Sequence, residues 1–410
     1  MPRRVGPAAL GAGPPSPTWI TSHMVGQRSK ASLSHPTPFS AKLTSMTSPA
    51  AEPILPQAVR LRGRIKVEPE DFLVEELPAY LPSGEGEHLF LWIEKRDVSA
   101  EYLTGQLSRA LGISRDAIGM AGQKDRRAVT RQWVSVPGET ESRLSALDDL
   151  AAQGLVRVLS SSRHRNKLRP GHLVGNRFEI RVRTEDSDAF EMASRIAETV
   201  RAQGVPNRYG DQRFGIGDET LQWGRDLLSG ARTSRDIDPR RRRWFLRFAF
   251  SAVQSDLFNA VVQVRQERGL LHRVIEGDVL QVIASGGCFT SEDPAPDQPR
   301  IDSREVIPTG PMFGVKMKSP LGEALLLEQA VLAASGLQLK HFEPFSQLMQ
   351  GARRAVVVYP QSVEVHADPL GVRVAFSLPP GAYATTVLEE FLGPAETVAE
   401  PNDGEEEDPG

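Results

Sequence analysis

One cysteine, Cys288, stands in 410 residues. A single thiol excludes an intrachain disulfide and any centre that needs several thiolates, which fits a reducing cytoplasm. No apolar run reaches the roughly 18 residues of a spanning helix, so no membrane span is expected. There is no Gly-x-x-x-x-Gly-Lys-Ser/Thr loop and no Gly-x-Gly-x-x-Gly after a strand, which removes the common nucleotide-binding signatures. No Gly-x-Ser-x-Gly elbow marks a serine hydrolase. His164 and His172 lie eight apart with no cysteine near them, so a structural zinc is not expected. Cys288 sits in a Gly-rich stretch with no adjacent base and reads as inert. Acidic residues are absent before Glu52.

What is present describes a globular protein long enough for two domains. Hydrophobic residues make up 40% of the chain and charged residues 25%, the balance of a soluble fold. The net charge of -3 hides a marked asymmetry. Glu405, Glu406, Glu407 and Asp408 form an acidic tail. Segment 157–183 instead holds Arg157, Arg163, Arg165, Lys167, Arg169, Arg177, Arg181 and Arg183 against Glu179 alone. Arg240-Arg241-Arg242-Arg243-Trp244 is a second basic cluster. Local fields of this kind matter more for RNA binding than the summed charge.

Residues 1–55 are rich in Pro, Ser, Thr, Gly and Ala and show no apolar period, so they are expected to be disordered. They read either as a transit peptide or, preferentially, as an over-long start with the true initiator at Met24 or Met46. Strands are expected at 64–67, 72–76, 88–95, 132–136 and 177–182. Ser99 is placed to cap a helix through Leu111, and 187–204 and 244–268 are helical by period. Residues 284–303 read as a loop, and 355–359, 362–366 and 372–376 as strands. This divides the chain into 56–205 plus 353–393, a second domain at 206–352, and an acidic tail at 394–410 that reads as a solvating end.

Chemistry concentrates in Ala121-Gly122-Gln123-Lys124-Asp125-Arg126-Arg127-Ala128-Val129-Thr130-Arg131-Gln132. One carboxylate, Asp125, sits in a Gly-led turn with Lys124, Arg126, Arg127 and Arg131, just before the apolar segment at Trp133. Most Lys-Asp-Arg turns are surface features whose carboxylate caps an amide or pairs with a neighbour. Here the cations can hold the phosphates of a polyanion while an ionised Asp125 acts as nucleophile or base. The basic stretch 163–177 is either a solvated loop or a set of phosphate contacts. Asn176 carries both a donor and an acceptor, so it can read a base edge or simply close a turn. Phe72, Tyr209, Phe214 and Tyr383 are candidates to stack on a flipped base, with core packing as the competing role.

Six ordered segments resemble motifs of the TruD family of tRNA pseudouridine synthases. They are Asp71–Glu76, Gly84–His88, Ala121–Gln132, Gly175–Phe178, Gly204–Gly215 and Leu378–Leu388. The resemblance runs over about residues 60–392 and leaves both tails outside. It implies an α+β fold: a catalytic domain with a mixed, largely antiparallel sheet and flanking helices, plus an inserted α/β domain. It implies an isomerase that converts uridine 13 of tRNA to pseudouridine without metal, nucleotide cofactor or redox centre. Asp125 matches the catalytic aspartate, either as a nucleophile or as a base that removes a sugar proton. Phe72, Asn176 and Tyr383 match substrate-contacting positions, with Tyr383 where the family often has Phe. Lys66 matches a basic residue at the edge of the site. Arg131 is expected to pair with Asp125 or a phosphate, and Arg213 to fix the RNA or the inserted domain. The expected partner is tRNA, with the enzyme a cytoplasmic monomer that needs no membrane. The competing readings are a non-catalytic RNA-binding protein of the same fold, and an interaction protein using its acidic tail and basic patch.

Overall fold

Alternation along the strands decides how this chain builds its main sheet. The computed structural model describes residues 60–210 and 213–393. The expectations for residues 1–55 and for the acidic tail lie outside the described residues. Strands β1 (Phe72–Pro78), β2 (His88–Arg96), β3 (Gly119–Met120), β4 (Val129–Pro137), β5 (Val156–His164) and β6 (Leu173–Arg183) come from the first half. After the short β7 (Val205–Pro206), a group of smaller strands follows: β8 (Val279–Val282), β9 (Cys288–Thr290), β10 (Val306–Met312), β11 (Ala352–Ala355) and β12 (Val357–Val358). The last two are β13 (Gln361–Asp368) and β14 (Gly371–Leu378).

The large sheet has eight strands in the order β13-β14-β6-β1-β4-β2-β5, with β3 on the flank of β4. Only β1 and β4 run parallel within it; the other pairs are antiparallel. This is a mixed, largely antiparallel sheet in an α+β protein. One face of it is apolar on both sides of its centre. On the β1-β6-β14 side, Phe72, Val74, Phe178, Ile180, Val374 and Phe376 meet α3 (Ala189–Gln203) and the C-terminal helix. On the β4-β2 side, Leu89, Leu91, Ile93, Val134 and Val136 meet α1 (Ala100–Leu111). Each such side chain, fully buried, contributes roughly 1.5–3 kcal/mol of transfer free energy. Helix α1 starts where expected, because Ser99 accepts a hydrogen bond from the Tyr102 amide, and it ends at left-handed Gly112. The short α2 (Asp148–Ala152) leads into β5.

A second sheet of four strands, β11-β10-β8-β9, lies within the region between β7 and β12. It is accompanied by α4 (Glu219–Ser229), α5 (Arg242–Glu267), α6 (Pro294–Asp302) and α7 (Gly322–Ala334). Helix α5 has 26 residues, a length of about 39 Å. Its buried face packs with Leu221, Leu227, Phe313 and Phe342 at one end, and with Ile307 and Val356 further along. The chain then returns through β7-β12 pairing to β13, β14 and α8 (Ala384–Leu392). Arg208, buried just after β7, donates to Glu389 of α8 at 3.0 Å and ties that crossing point together.

Several local expectations are corrected. Residues 64–67 do not form a strand: Arg64 makes a single bridge to Arg183, and Lys66 then turns left-handed at φ 55°, which breaks the extended run. The supposed loop at 284–303 contains β9 and α6. Asp293 caps that helix and Pro294 opens it, so residues read as loop-formers act as helix starters. The run 355–359 splits between two sheets, with Ala355 paired to Thr309 and Val357–Val358 paired to β7. The start of the basic stretch 163–177 is not a loop either, because Arg163 and His164 belong to edge strand β5.

Candidate active site

Between the two apolar halves of the main sheet, two strands diverge over the same stretch of β4. Strand β1 accompanies β4 from Val129 to Arg131, and β3 accompanies it at Val134 and Ser135. Near Trp133, β4 has neither neighbour in register. There the buried Glu76 carboxylate accepts from the Trp133 amide at 3.4 Å and from Lys124 Nζ at 2.8 Å. Both partners of this pair are enclosed, with side chains 1% and 4% exposed. A charge pair so enclosed is costly to break, because either charge alone would be left in low dielectric.

Lys124 is the residue before Asp125. On the other side of the turn, buried Lys95 reaches up from β2 and donates to the Asp125 carbonyl at 2.7 Å and to the Val98 carbonyl at 2.8 Å. Burial lowers the Lys95 pKa to about 8, partly offset by the nearby Asp125 charge. The backbone of the turn is therefore held on both sides of Asp125, while the residue itself is exposed. No side chain among the described residues hydrogen-bonds its carboxylate. A fixed backbone and an uncommitted carboxylate are what a nucleophile or base needs before substrate arrives.

Asn176 belongs to this group. It pairs in register with Glu76 on one side and Leu378 on the other. Its Oδ1 is buried and meets no donor among the described residues. Tyr383 follows Leu378 by a Pro-Pro-Gly-Ala turn and stands at the N-terminus of α8, its ring 5.7 Å from that of Tyr209 in an edge-on arrangement. Arg354 lies over the Tyr209 ring at 4.2 Å and donates to Asn207 Oδ1 at 2.7 Å and to the Gly381 carbonyl at 2.9 Å. It thereby links the segment after β7 to the turn before Tyr383.

Phe72, Arg131 and Arg213 have the following surroundings. Phe72 is 1% exposed, packed edge-on to Phe178, with the Lys66 ammonium 4.3 Å from its ring centroid. Its ring is a core element capped by Lys66 rather than an open stacking face. Arg131 does not pair with Asp125. Strand parity sends it to the far face of the sheet, where it meets Glu94 at 2.9 Å and Glu75 at 3.7 Å. Arg213 hydrogen-bonds Ser251 and Ser255 of α5 and lies 5.6 Å from the Tyr209 ring. Within the basic stretch, Arg163 pairs with Glu141 and Arg165 with Glu85, so part of that charge is already answered.

Sequence reasoning did not single out Lys95 or Glu76 as site residues. A signal for both existed in the strand alternation. Lys95 continues the inward series Leu89, Leu91, Ile93, and Glu76 continues Phe72, Val74. A charge on the apolar parity of a strand must find a buried partner.

The family model for tRNA pseudouridine synthase D (TruD) matches residues 55–234 and 239–391. A tRNA pseudouridine synthase D of Anaeromyxobacter sp. (strain Fw109-5) is 43% identical over 332 residues, covering 80% of this chain and 92% of that protein. A tRNA pseudouridine synthase D of Thermus thermophilus is 42% identical over 330 residues, covering 80% of this chain and 88% of that protein. A Methanosarcina mazei chain solved as a putative tRNA pseudouridine synthase D (TruD) superposes with a TM-score of 0.65 at 26% identity, covering 81% of this chain and 94% of that one. The chain belongs to the tRNA pseudouridine synthase D (TruD) family.

Proposed function

We propose that this protein isomerises uridine to pseudouridine in tRNA, at position 13, with Asp125 as the essential group. The supporting observation is the turn itself: Lys95 and the Lys124–Glu76 pair fix its backbone, and the Asp125 carboxylate stays exposed. In the isomerisation the N1–C1′ bond of uridine breaks, the uracil turns, and a C5–C1′ bond forms. The C5 proton is released to solvent, and N1 takes up a proton in its place. Asp125 opens this sequence in one of two ways. It attacks C1′ and displaces uracil, or it removes the 2′ proton as uracil departs. Both routes need an ionised carboxylate at a fixed distance from the sugar.

Asn176, with an unanswered buried acceptor beside its own amide donors, is suited to read the uracil edge. Tyr383 supplies a ring face at the opening of α8. Lys66 reaches the substrate by moving off the Phe72 ring, and Arg213 braces Tyr209. We assign residues 56–205 and 353–393 to the catalytic domain and 206–352 to an inserted domain, with the enzyme a monomer in the cytoplasm.

The test is a pseudouridine assay on tRNA lacking the modification, with wild type and Asp125→Asn side by side. Conversion by wild type alone, with tRNA binding retained by the variant, supports the assignment. Conversion by Asp125→Asn at the wild-type rate removes Asp125 from the chemistry.

A further inference from the structure

About fifteen residues before the part of α5 that meets Tyr209, the same helix carries an aromatic pair on its outer surface. Trp244 is 62% exposed and stacks on Phe248, with ring centroids 5.4 Å apart and planes 16° from parallel. A single exposed apolar residue is ordinary, but two aromatic rings stacked on each other at the surface form a contiguous patch of the kind that marks an interaction site. Arg243 and Arg247 occupy the neighbouring row of the helix, four residues apart, and Arg240 lies in the turn that leads into it. None of these three arginines has an acidic partner among the described residues. The nearest acid along the chain, Asp238, is engaged by the Arg240 backbone amide at 2.8 Å. The first turn of α5 contains no acidic residue.

We propose that Trp244 and Phe248, flanked by Arg240, Arg243 and Arg247, form a second RNA-contact surface that stacks an unpaired base of the tRNA and holds its flanking phosphates. The inference rests on the reading of the protein as a tRNA-modifying enzyme. Charge complementarity selects the partner. A flat, exposed ring among unneutralised guanidinium groups suits a nucleobase with phosphates on either side, since every base offers a π-face. The helix also sets the distance. Asn259 exchanges two hydrogen bonds with the Tyr209 backbone, at 2.9 and 2.8 Å, and Tyr209 faces Tyr383. At 1.5 Å per residue, Trp244 lies about 22 Å along α5 from Asn259. The base stacked at Trp244 is therefore not the reacting uridine but another nucleotide of the same molecule. Helix α5 acts as a rigid spacer between the two.

The test measures steady-state kinetics and filter-binding Kd on unmodified tRNA for wild type, Trp244→Ala, Trp244→Phe and the double variant Arg243→Gln/Arg247→Gln. Trp244→Ala is expected to raise both Kd and KM about tenfold, the scale of one lost base stack, with the loss falling on KM rather than kcat. Trp244→Phe keeps a ring and should recover most of that loss, which separates stacking from misfolding. The double arginine variant should flatten the slope of log Kd against log salt by roughly one and a half units. Wild-type Kd and KM in Trp244→Ala, measured alongside a wild type that converts tRNA, would overturn the proposal. Binding that depends on Trp244 without any conversion by wild type would uphold this surface and sink the isomerase reading instead. Preference of the surface for a poly-glutamate peptide over tRNA would also overturn it.

Discussion

Lys95 donates its ammonium to the backbone carbonyl of Asp125 at 2.7 Å from a position with no solvent exposure. This contact joins the floor of the sheet to the residue proposed to do the chemistry. Its second bond, to the Val98 carbonyl at 2.8 Å, fixes the start of α1 relative to the same turn. The turn is therefore held from two strands, by Lys95 of β2 directly and by Glu76 of β1 through the turn's own Lys124.

Lys95 should leave a signature in the pH dependence of stability. Its folded pKa is lowered from 10.5 to about 8. Below pH 8 the ammonium is charged in both states and its burial opposes folding. Between about pH 8 and 10.5 the folded protein has released a proton that the unfolded chain keeps, so stability rises with pH. The span corresponds to about 3 kcal/mol. Denaturant unfolding at a series of pH values should show this rise in wild type and a flat profile in Lys95→Met. Parallel curves for the two proteins would remove Lys95 as the cause.

The Glu76–Lys124 pair should behave as a unit. Glu76→Ala leaves the Lys124 charge buried and alone, and should cost about 3–5 kcal/mol. Lys124→Met should cost a similar amount for the opposite reason. The double variant Glu76→Ala/Lys124→Met should be less destabilised than the sum of the singles, because no unpaired charge remains. Chemical denaturation of the four proteins checks the coupling, and simple additivity would refute it.

Phe72 should register first as a core residue. Its ring is fully buried against Phe178, so Phe72→Ala should lose about 3–5 kcal/mol of stability. Any loss of activity in that variant must be read beside its unfolding curve. Lys66→Met, which removes the charge capping the ring, should change stability by no more than about 2 kcal/mol, the scale of a cation–π contact made by a half-buried ammonium. A larger change would mean that Lys66 holds the segment in place.

Tyr383 should tolerate loss of its hydroxyl but not of its ring. Tyr383→Phe keeps the face that meets Tyr209 and should hold kcat/KM within about threefold. Tyr383→Ala should lower kcat/KM by roughly ten- to a hundredfold, the scale of a lost stacking partner. Equal losses in both variants would point to a role for the hydroxyl.

Much of this protein was legible in its strands. The alternation of Phe72, Val74, Phe178, Ile180, Phe376 and Val374 predicts which face is buried, because a period of two leaves no other register. The capped helix after Ser99 and the long helix ending near Glu267 follow from local chemistry as well. Asp125 was legible as a lone acid among cations. Its supports were not, because Lys95 lies 30 residues before it and Glu76 pairs with Lys124 across 48 residues. Only folding brings such partners within hydrogen-bond distance.

The same division explains the placement of Arg131. Arg131 and Lys124 are both cations near Asp125 in sequence. Strand parity sends Arg131 to the far face with Glu94, and the turn brings Lys124 inward to Glu76. Sequence alone determined most of the strands of the main sheet, its apolar face and the lone-acid turn proposed to be reactive, since these depend on neighbours a few residues apart. Tertiary structure decided which charges are buried together, which aromatic ring is covered and which is left in solvent. Those outcomes depend on the order of strands in the sheet, which sets distances between residues that are far apart along the chain.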